Sequence, residues 1–138
     1  MILTIDLGTT LVKFALFDRE GRLVALHRAK LPTIRRQPGH REVSIEGLER
    51  LWADGIRQLG SMSGGLQTVE AVSFSTQANS FALFDKQSRA LTPMILWNDE
   101  RATGFGEEIG RSCHWPAHAA ATGLSRLSLQ CLPPKFLW

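Results

Sequence analysis

The stretch LTIDLGTTLVKFALFD, residues 3–18, constrains this chain more than any other. Two runs rich in apolar and β-branched residues, 2–7 and 11–17, are separated by Gly8-Thr9-Thr10. Such runs around a short glycine-bearing turn predict a β-hairpin. One carboxylate, Asp6, stands just before the turn. Gly8 lets the backbone turn and come close to a ligand. Successive backbone N–H groups around Thr9 and Thr10 can face one concavity, which suits an anion. The two hydroxyls add donors, and Lys13 brings a positive charge to the same place. Asp6 repels a phosphate but can hold Mg²⁺, directly or through water, and the ion neutralises phosphate oxygens. The turn therefore reads as a phosphate grip with Asp6 facing the metal. An ordinary hairpin with a capped turn fits the same five residues, so the pattern alone leaves both readings open.

Further along, Asp18-Arg19-Glu20-Gly21 predicts a turn and residues 22–29 a third strand in a meander. The chain loosens from Pro32 to Gly39. Ser44 can cap a helix, and Ile45, Leu48, Leu51, Trp52, Ile56 and Leu59 recur at spacings of three and four. That predicts an amphipathic helix of about four turns. Gly47 and Gly55 weaken it, so it must rely on packing against the sheet. Residues 61–67, SMSGGLQ, read as a flexible connection. Val69–Ser75 and Ser80–Phe84 have strand length, with a turn at 85–88. Residues 91–97, LTPMILW, contain Pro93 and read as an edge strand or extended loop. Asp99 is expected to start a second helix with Ala102, Phe105 and Ile109 inward. A helical patch at 116–122 is stopped by Gly123. Three strands, a helix, a strand, then more strand and helix describe an α/β chain with a mixed sheet. This is the order of the ribonuclease-H-like core, the half-unit of the actin-type ATPases, although periodicity does not separate it from other α/β folds.

The 138 residues suffice for one domain with a real core. No apolar run approaches the roughly 20 residues that span a bilayer. The opening lacks a basic leader followed by an apolar block, so no secretion signal is expected. Cys113 and Cys131 form no disulfide framework, which fits a reducing cytoplasm. A net charge of +3 does not argue for nucleic acid. The basic cluster from His27 to Arg41 has no interleaved aromatic residues for base stacking and reads as a solvated loop. Cys113, His114 and His118 match no standard metal-site spacing. Pro133-Pro134-Lys135-Phe136-Leu137-Trp138 looks like the first turn of a further helix. One isolated turn is unstable, so a piece of a longer protein is expected.

Two later stretches, AVSFSTQANSFALFD (71–85) and LTPMILWNDERA (91–102), stand in order after the hairpin. With it they resemble the FGGY family of carbohydrate kinases. IDLGTT followed by Lys13 is similar to that family's first phosphate motif, and Ser75-Thr76-Gln77-Ala78-Asn79 to the loop that lies against the sugar. Trp97-Asn98-Asp99-Glu100-Arg101 resembles its Trp-(Asn/Gln)-Asp-x-Arg signature. Thr122-Gly123 and Pro134-Lys135-Phe136-Leu137-Trp138 resemble two further family stretches. The actin and chaperone relatives share only the opening motif.

The resemblance implies ATP and Mg²⁺ as cofactors and a small sugar as substrate, with neither nucleic acid nor membrane as partner. It implies a catalytic place for Asp6 near Mg²⁺ and the transferred phosphoryl group. Gly8, Thr9, Thr10 and Lys13 would contact nucleotide phosphates. Gln77, Ala78 and Asn79 would line the sugar pocket, with Trp97 and Asp99 close by, and Arg101 would fix that loop or reach substrate. Read on their own, Trp97 is equally a core residue, Asp99 a helix N-cap and Arg101 a partner for nearby carboxylates. Xylulokinases carry Met-His where this chain has Ala78-Asn79, and glycerol kinases Arg-Glu with a downstream tyrosine. This chain has no tyrosine, which argues against glycerol and leaves the exact sugar open. The resemblance implies a ketose, polyol or sugar acid as acceptor, with a pentulose such as xylulose the first expectation. The family's general-base aspartate and most of its nucleotide site lie beyond the matched stretch. The isolated chain is therefore expected to be an inactive first domain of a kinase. Exposed apolar surface would drive self-association, for example as a homodimer. The rival expectation is a non-catalytic remnant of the fold that binds a sugar or a partner.

Overall fold

The computed structural model describes residues 1–112, 114–123 and 135–136. Cys113, Cys131, Pro133, Pro134, Leu137 and Trp138 lie outside the described residues, and with them most of the expected terminal helix turn. The chain divides into two compact units. The first comprises Met1–Pro32 and Val43–Gln77; the second comprises Thr33–Glu42 and the described residues from Ala78 onward.

In the first unit the opening hairpin forms as β1 (Ile2–Leu7) and β2 (Leu11–Phe17), followed by β3 (Leu23–Lys30). The next elements in the chain are the two-residue β4 (Glu42–Val43), α1 (Ile45–Ser63) and β5 (Ala71–Thr76). The sheet order is β3-β2-β1-β5, with β1 antiparallel to β2 and parallel to β5. This is the mixed sheet of a ribonuclease-H-like unit. Register explains the core. Leu3, Ile5, Leu7, Val12, Phe14 and Leu16 alternate onto one face, and all are buried. α1 covers that face, packing on β2 and β3. At the sheet's end Val72 and Phe74 of β5 remain half exposed, Phe74 stacked on Trp52 of α1.

α1 begins as expected, with the Ser44 hydroxyl accepting from Gly47 N at 3.0 Å. It ends four residues later than the apolar pattern suggests. The Ser-Met-Ser stretch stays helical, with the Ser61 and Ser63 hydroxyls donating back to the Arg57 and Leu59 carbonyls. Gly64, at φ 73°, then closes the helix. The buried stripe is Leu51, Gly55 and Leu59. Gly55 is required by space, because a Cβ there would run into the Phe14 ring. Gly55→Ala is expected to cost about 1–3 kcal/mol through overpacking. The measurement is the urea midpoint, and an unchanged midpoint would show that the helix simply shifts.

The second unit holds β6 (Met94–Ile95), which pairs with β4, then α2 (Thr103–Ser112) and α3 (Trp115–Thr122). Residues 80–84 are not a strand. They make only single bridges, Phe81 with Ile95 and Phe84 with Ala90. The Asp85 carboxylate, accepting from Gln87 N and Arg89 N, turns the chain back too soon for a ladder. Pro93 limits the returning arm to the two residues of β6. The second helix starts at Thr103, not at Asp99, whose carboxylate is committed elsewhere. α3 ends at Gly123, with φ 75° and its N–H on the Ala119 carbonyl. Among the described residues, no helix is long and apolar enough to cross a membrane.

Candidate active site

In the first unit, parallel pairing sets Asp6 beside Ser75 and Leu7 beside Thr76. The carboxyl ends of β1 and β5 therefore lie side by side, the end where open α/β sheets bind ligands. Gly8 and Gln77 follow directly, and Gln77 Nε2 donates to the Gly8 carbonyl at 3.4 Å. Gly8 does not use a left-handed φ. It is needed for clearance, since a Cβ would sit 2.6 Å from the Leu11 carbonyl oxygen. Thr9 is half-buried and Thr10 exposed, and the Thr10 carbonyl accepts from Leu31 N at 2.9 Å.

Asp6 and Lys13 are cross-strand partners, and Lys13 Nζ donates to Asp6 Oδ2 at 2.8 Å. Both side chains are nearly half exposed, so the pair adds little stability. The ammonium stands where another cation would meet this carboxylate. Among the described residues no cluster of three or more His, Cys, Asp or Glu could hold a metal. One carboxylate fits Mg²⁺ of the kind that keeps its waters and takes its other ligands from substrate phosphates.

In the second unit Ala78 and Asn79 are exposed, and Asn79 sits at φ 61°. Asparagine is among the few non-glycine residues that visit this region readily. Trp97 N donates to Ser80 Oγ at 2.8 Å, which ties the 78–80 segment to the Trp97–Arg101 loop. The buried Lys135 ammonium holds the other side, donating to the Leu96 and Trp97 carbonyls at 2.9 and 2.6 Å.

Asp99 is fully buried. Its Oδ1 accepts from Arg101 N and Arg101 Nε, and its Oδ2 from Arg41 N at 2.6 Å and Arg101 Nη2. The bond to Arg101 N two residues on is an Asx-type turn, which displaces the helix N-cap expected here. Arg101 also donates to Glu42 Oε2 at 2.8 Å, while Arg36 Nε holds Glu42 Oε1 at 2.7 Å. Burial pushes the Asp99 carboxyl up, but the Arg101 side chain and the Arg41 and Arg101 N–H donors outweigh it and hold it below its ordinary value. Burial likewise opposes Glu42 ionisation, and Arg101 and Arg36 overcome it. Glu42, Lys135 and Asn98 were not singled out by sequence reasoning. Among the described residues Asn98 Oδ1 is buried without a hydrogen-bond partner. Only the motif stretches around Asn98 and Lys135 hint at a role. Glu42 carries no local signal.

The two depressed carboxyls make a pH prediction. Unfolded carboxylates titrate near about 4, whereas these accept protons only at lower pH. Below the ordinary range the unfolded chain binds protons that the folded one refuses. The stability these groups supply is therefore complete above that range and is lost as pH falls through the depressed values. Urea midpoints should stay level from neutral pH to about 5 and fall below about 4. A midpoint that holds level throughout the acid range would refute this.

A mixed β3-β2-β1-β5 sheet with an Asp-x-Gly-Thr-Thr hairpin joining β1 to β2 is the ribonuclease-H-like fold of the actin-type ATPases. Residues 1–138 match the N-terminal domain of the FGGY family of carbohydrate kinases, and the chain belongs to that family. It is 37% identical over 101 residues to the xylulose kinase of Escherichia coli, covering 73% of this chain and 21% of that protein. It is 35% identical over 101 residues to a probable L-xylulose kinase of Haemophilus influenzae, covering 72% and 21%. The solved xyloylose kinase of Brucella ovis superposes with a TM-score of 0.87 at 28% identity, covering 99% of this chain and 28% of that one. The chain thus spans about a fifth of the length of these curated relatives.

Proposed function

We propose that the protein to which this chain contributes the N-terminal domain is an ATP-dependent carbohydrate kinase. It would move the γ-phosphoryl of MgATP to a hydroxyl of a pentulose such as xylulose. The observation that carries this reading is the convergence of Asp6, Gly8 and Gln77 at the carboxyl ends of β1 and β5, in a chain of the FGGY family. Xylulose kinases among the relatives support the pentulose.

Phosphoryl transfer asks a protein mainly for positioning and charge stabilisation. Bound Mg²⁺ would neutralise phosphate oxygens, and Asp6 is the residue that would hold it, directly or through water. Lys13 would leave Asp6 for a nucleotide phosphate, which is cheap because the pair is half exposed. Gly8, Thr9 and Thr10 would offer backbone and hydroxyl donors to the phosphates. Gln77, Ala78 and Asn79, with the Trp97–Arg101 loop, would orient the sugar. Asp99 and Arg101 would serve that loop by fixing its backbone, through their bonds to each other, to Arg41 and to Glu42.

The test is a coupled assay with MgATP and xylulose, on the full-length protein and on the 138 residues alone. The full-length protein should turn over and the 138 residues should not. A full-length protein that binds sugar by calorimetry but not MgATP would support a non-catalytic remnant instead.

A further inference from the structure

Residues 39–42 strap the Trp97–Arg101 loop from behind. Glu100 N donates to the Gly39 carbonyl at 2.9 Å, and Leu96 N to the Arg41 carbonyl at 3.0 Å. Arg41 N donates to Asp99 at 2.6 Å, and Arg41 Nε to the Asn98 carbonyl at 3.2 Å. Gly39, at φ +80°, passes so close that a Cβ would lie 3.2 Å from the Glu100 Cβ. The strap ends on Glu42, whose side chain is 4% exposed. One Glu42 oxygen takes Arg101 and the other takes Arg36. Arg101 in turn grips both Asp99 oxygens at 2.8 Å.

We propose that Glu42 is a positioning residue for the sugar-binding loop. Its carboxylate fixes the Arg101 guanidinium, which fixes Asp99 and through it the backbone from Trp97 to Arg101. What the loop binds rests on the sugar-kinase reading; how the loop is held does not. A carboxylate is required because it offers an acceptor to each guanidinium. Glutamine offers one acceptor and turns an N–H₂ toward the other arginine, where neither group can accept. In a buried site that mismatch displaces one of them. Arg36 is different: its side chain is 69% exposed, so its loss lets water take its place and leaves the Arg101–Glu42 bond intact.

The experiment compares Glu42→Gln with Arg36→Ala in the full-length protein. Glu42→Gln should raise the sugar KM by about 10- to 100-fold with the MgATP KM within about twofold, and Arg36→Ala should leave both within about twofold. Fluorotryptophan NMR supplies a second readout. The Trp97 resonance, assigned by its loss in Trp97→Phe, should shift or broaden in Glu42→Gln and not in Arg36→Ala. A folded Glu42→Gln protein with an unmoved Trp97 resonance and an unchanged sugar KM overturns the proposal. A change in both KM values alike points to general loosening and also overturns it. If the native protein phosphorylates no sugar, the kinase reading falls, while the Trp97 resonance still decides whether Glu42 sets the loop. Should Glu42→Gln not fold, Arg101→Lys keeps the buried cation without the fork and must show the same resonance shift.

Discussion

Arg101→Ala is expected to destabilise the second unit by about 3–5 kcal/mol, the cost of stripping a buried ion pair of one partner. The Arg101 side chain is 6% exposed and bonds both Asp99 oxygens and Glu42 Oε2 at 2.8 Å. Its removal leaves two buried carboxylates facing a space. Among the described residues Glu42 keeps Arg36, but Asp99 keeps only backbone N–H donors. Arg101→Lys should fall between, because one ammonium cannot reproduce a planar fork. The loss should shrink in acid, where protonation neutralises the abandoned carboxylates. Urea unfolding at neutral and acid pH measures both effects. A loss below about 1 kcal/mol, the range of exposed pairs, would mean that water replaces the guanidinium freely.

Asp6→Asn is expected to do the reverse, sparing the fold and removing the chemistry. The Asp6–Lys13 pair is worth about 0–1 kcal/mol at this exposure. The urea midpoint should therefore barely move. Asparagine keeps the shape and loses the charge that would hold Mg²⁺. In the full-length protein kcat should drop by about 100- to 1,000-fold, the scale for losing one transition-state charge stabiliser. Sugar affinity by calorimetry should be unchanged. Turnover equal to the native protein would remove Asp6 from the mechanism.

The hairpin and the main helix were legible because their signals are local. Alternating apolar residues around Gly8 give β1 and β2, and a three-four spacing behind Ser44 gives α1. The readings that differ from the structure turn on side-chain hydrogen bonds that an apolar pattern does not show, some to distant partners and some to near ones. Asp99 looks like an N-cap until Arg41, 58 residues away, donates to it. Residues 80–84 look like a strand until the Asp85 turn leaves them only single bridges. Ser61 and Ser63 look like loop, yet α1 runs on to Ser63 and their hydroxyls bond its own carbonyls.

By itself, the sequence determined which residues face which way along β1, β2 and α1, and which motifs the chain carries, because side-chain period and motif order are properties of neighbours in the chain. Tertiary structure alone decided that Glu42 shares Arg101 with Asp99 and that Arg41 reaches Asp99. Asp6 meets Lys13 by strand register, whereas Asp99 and Glu42 meet Arg101 by burial. A carboxylate's role follows from the charges that surround it, and folding decides which of them, near or far in the chain, reach it.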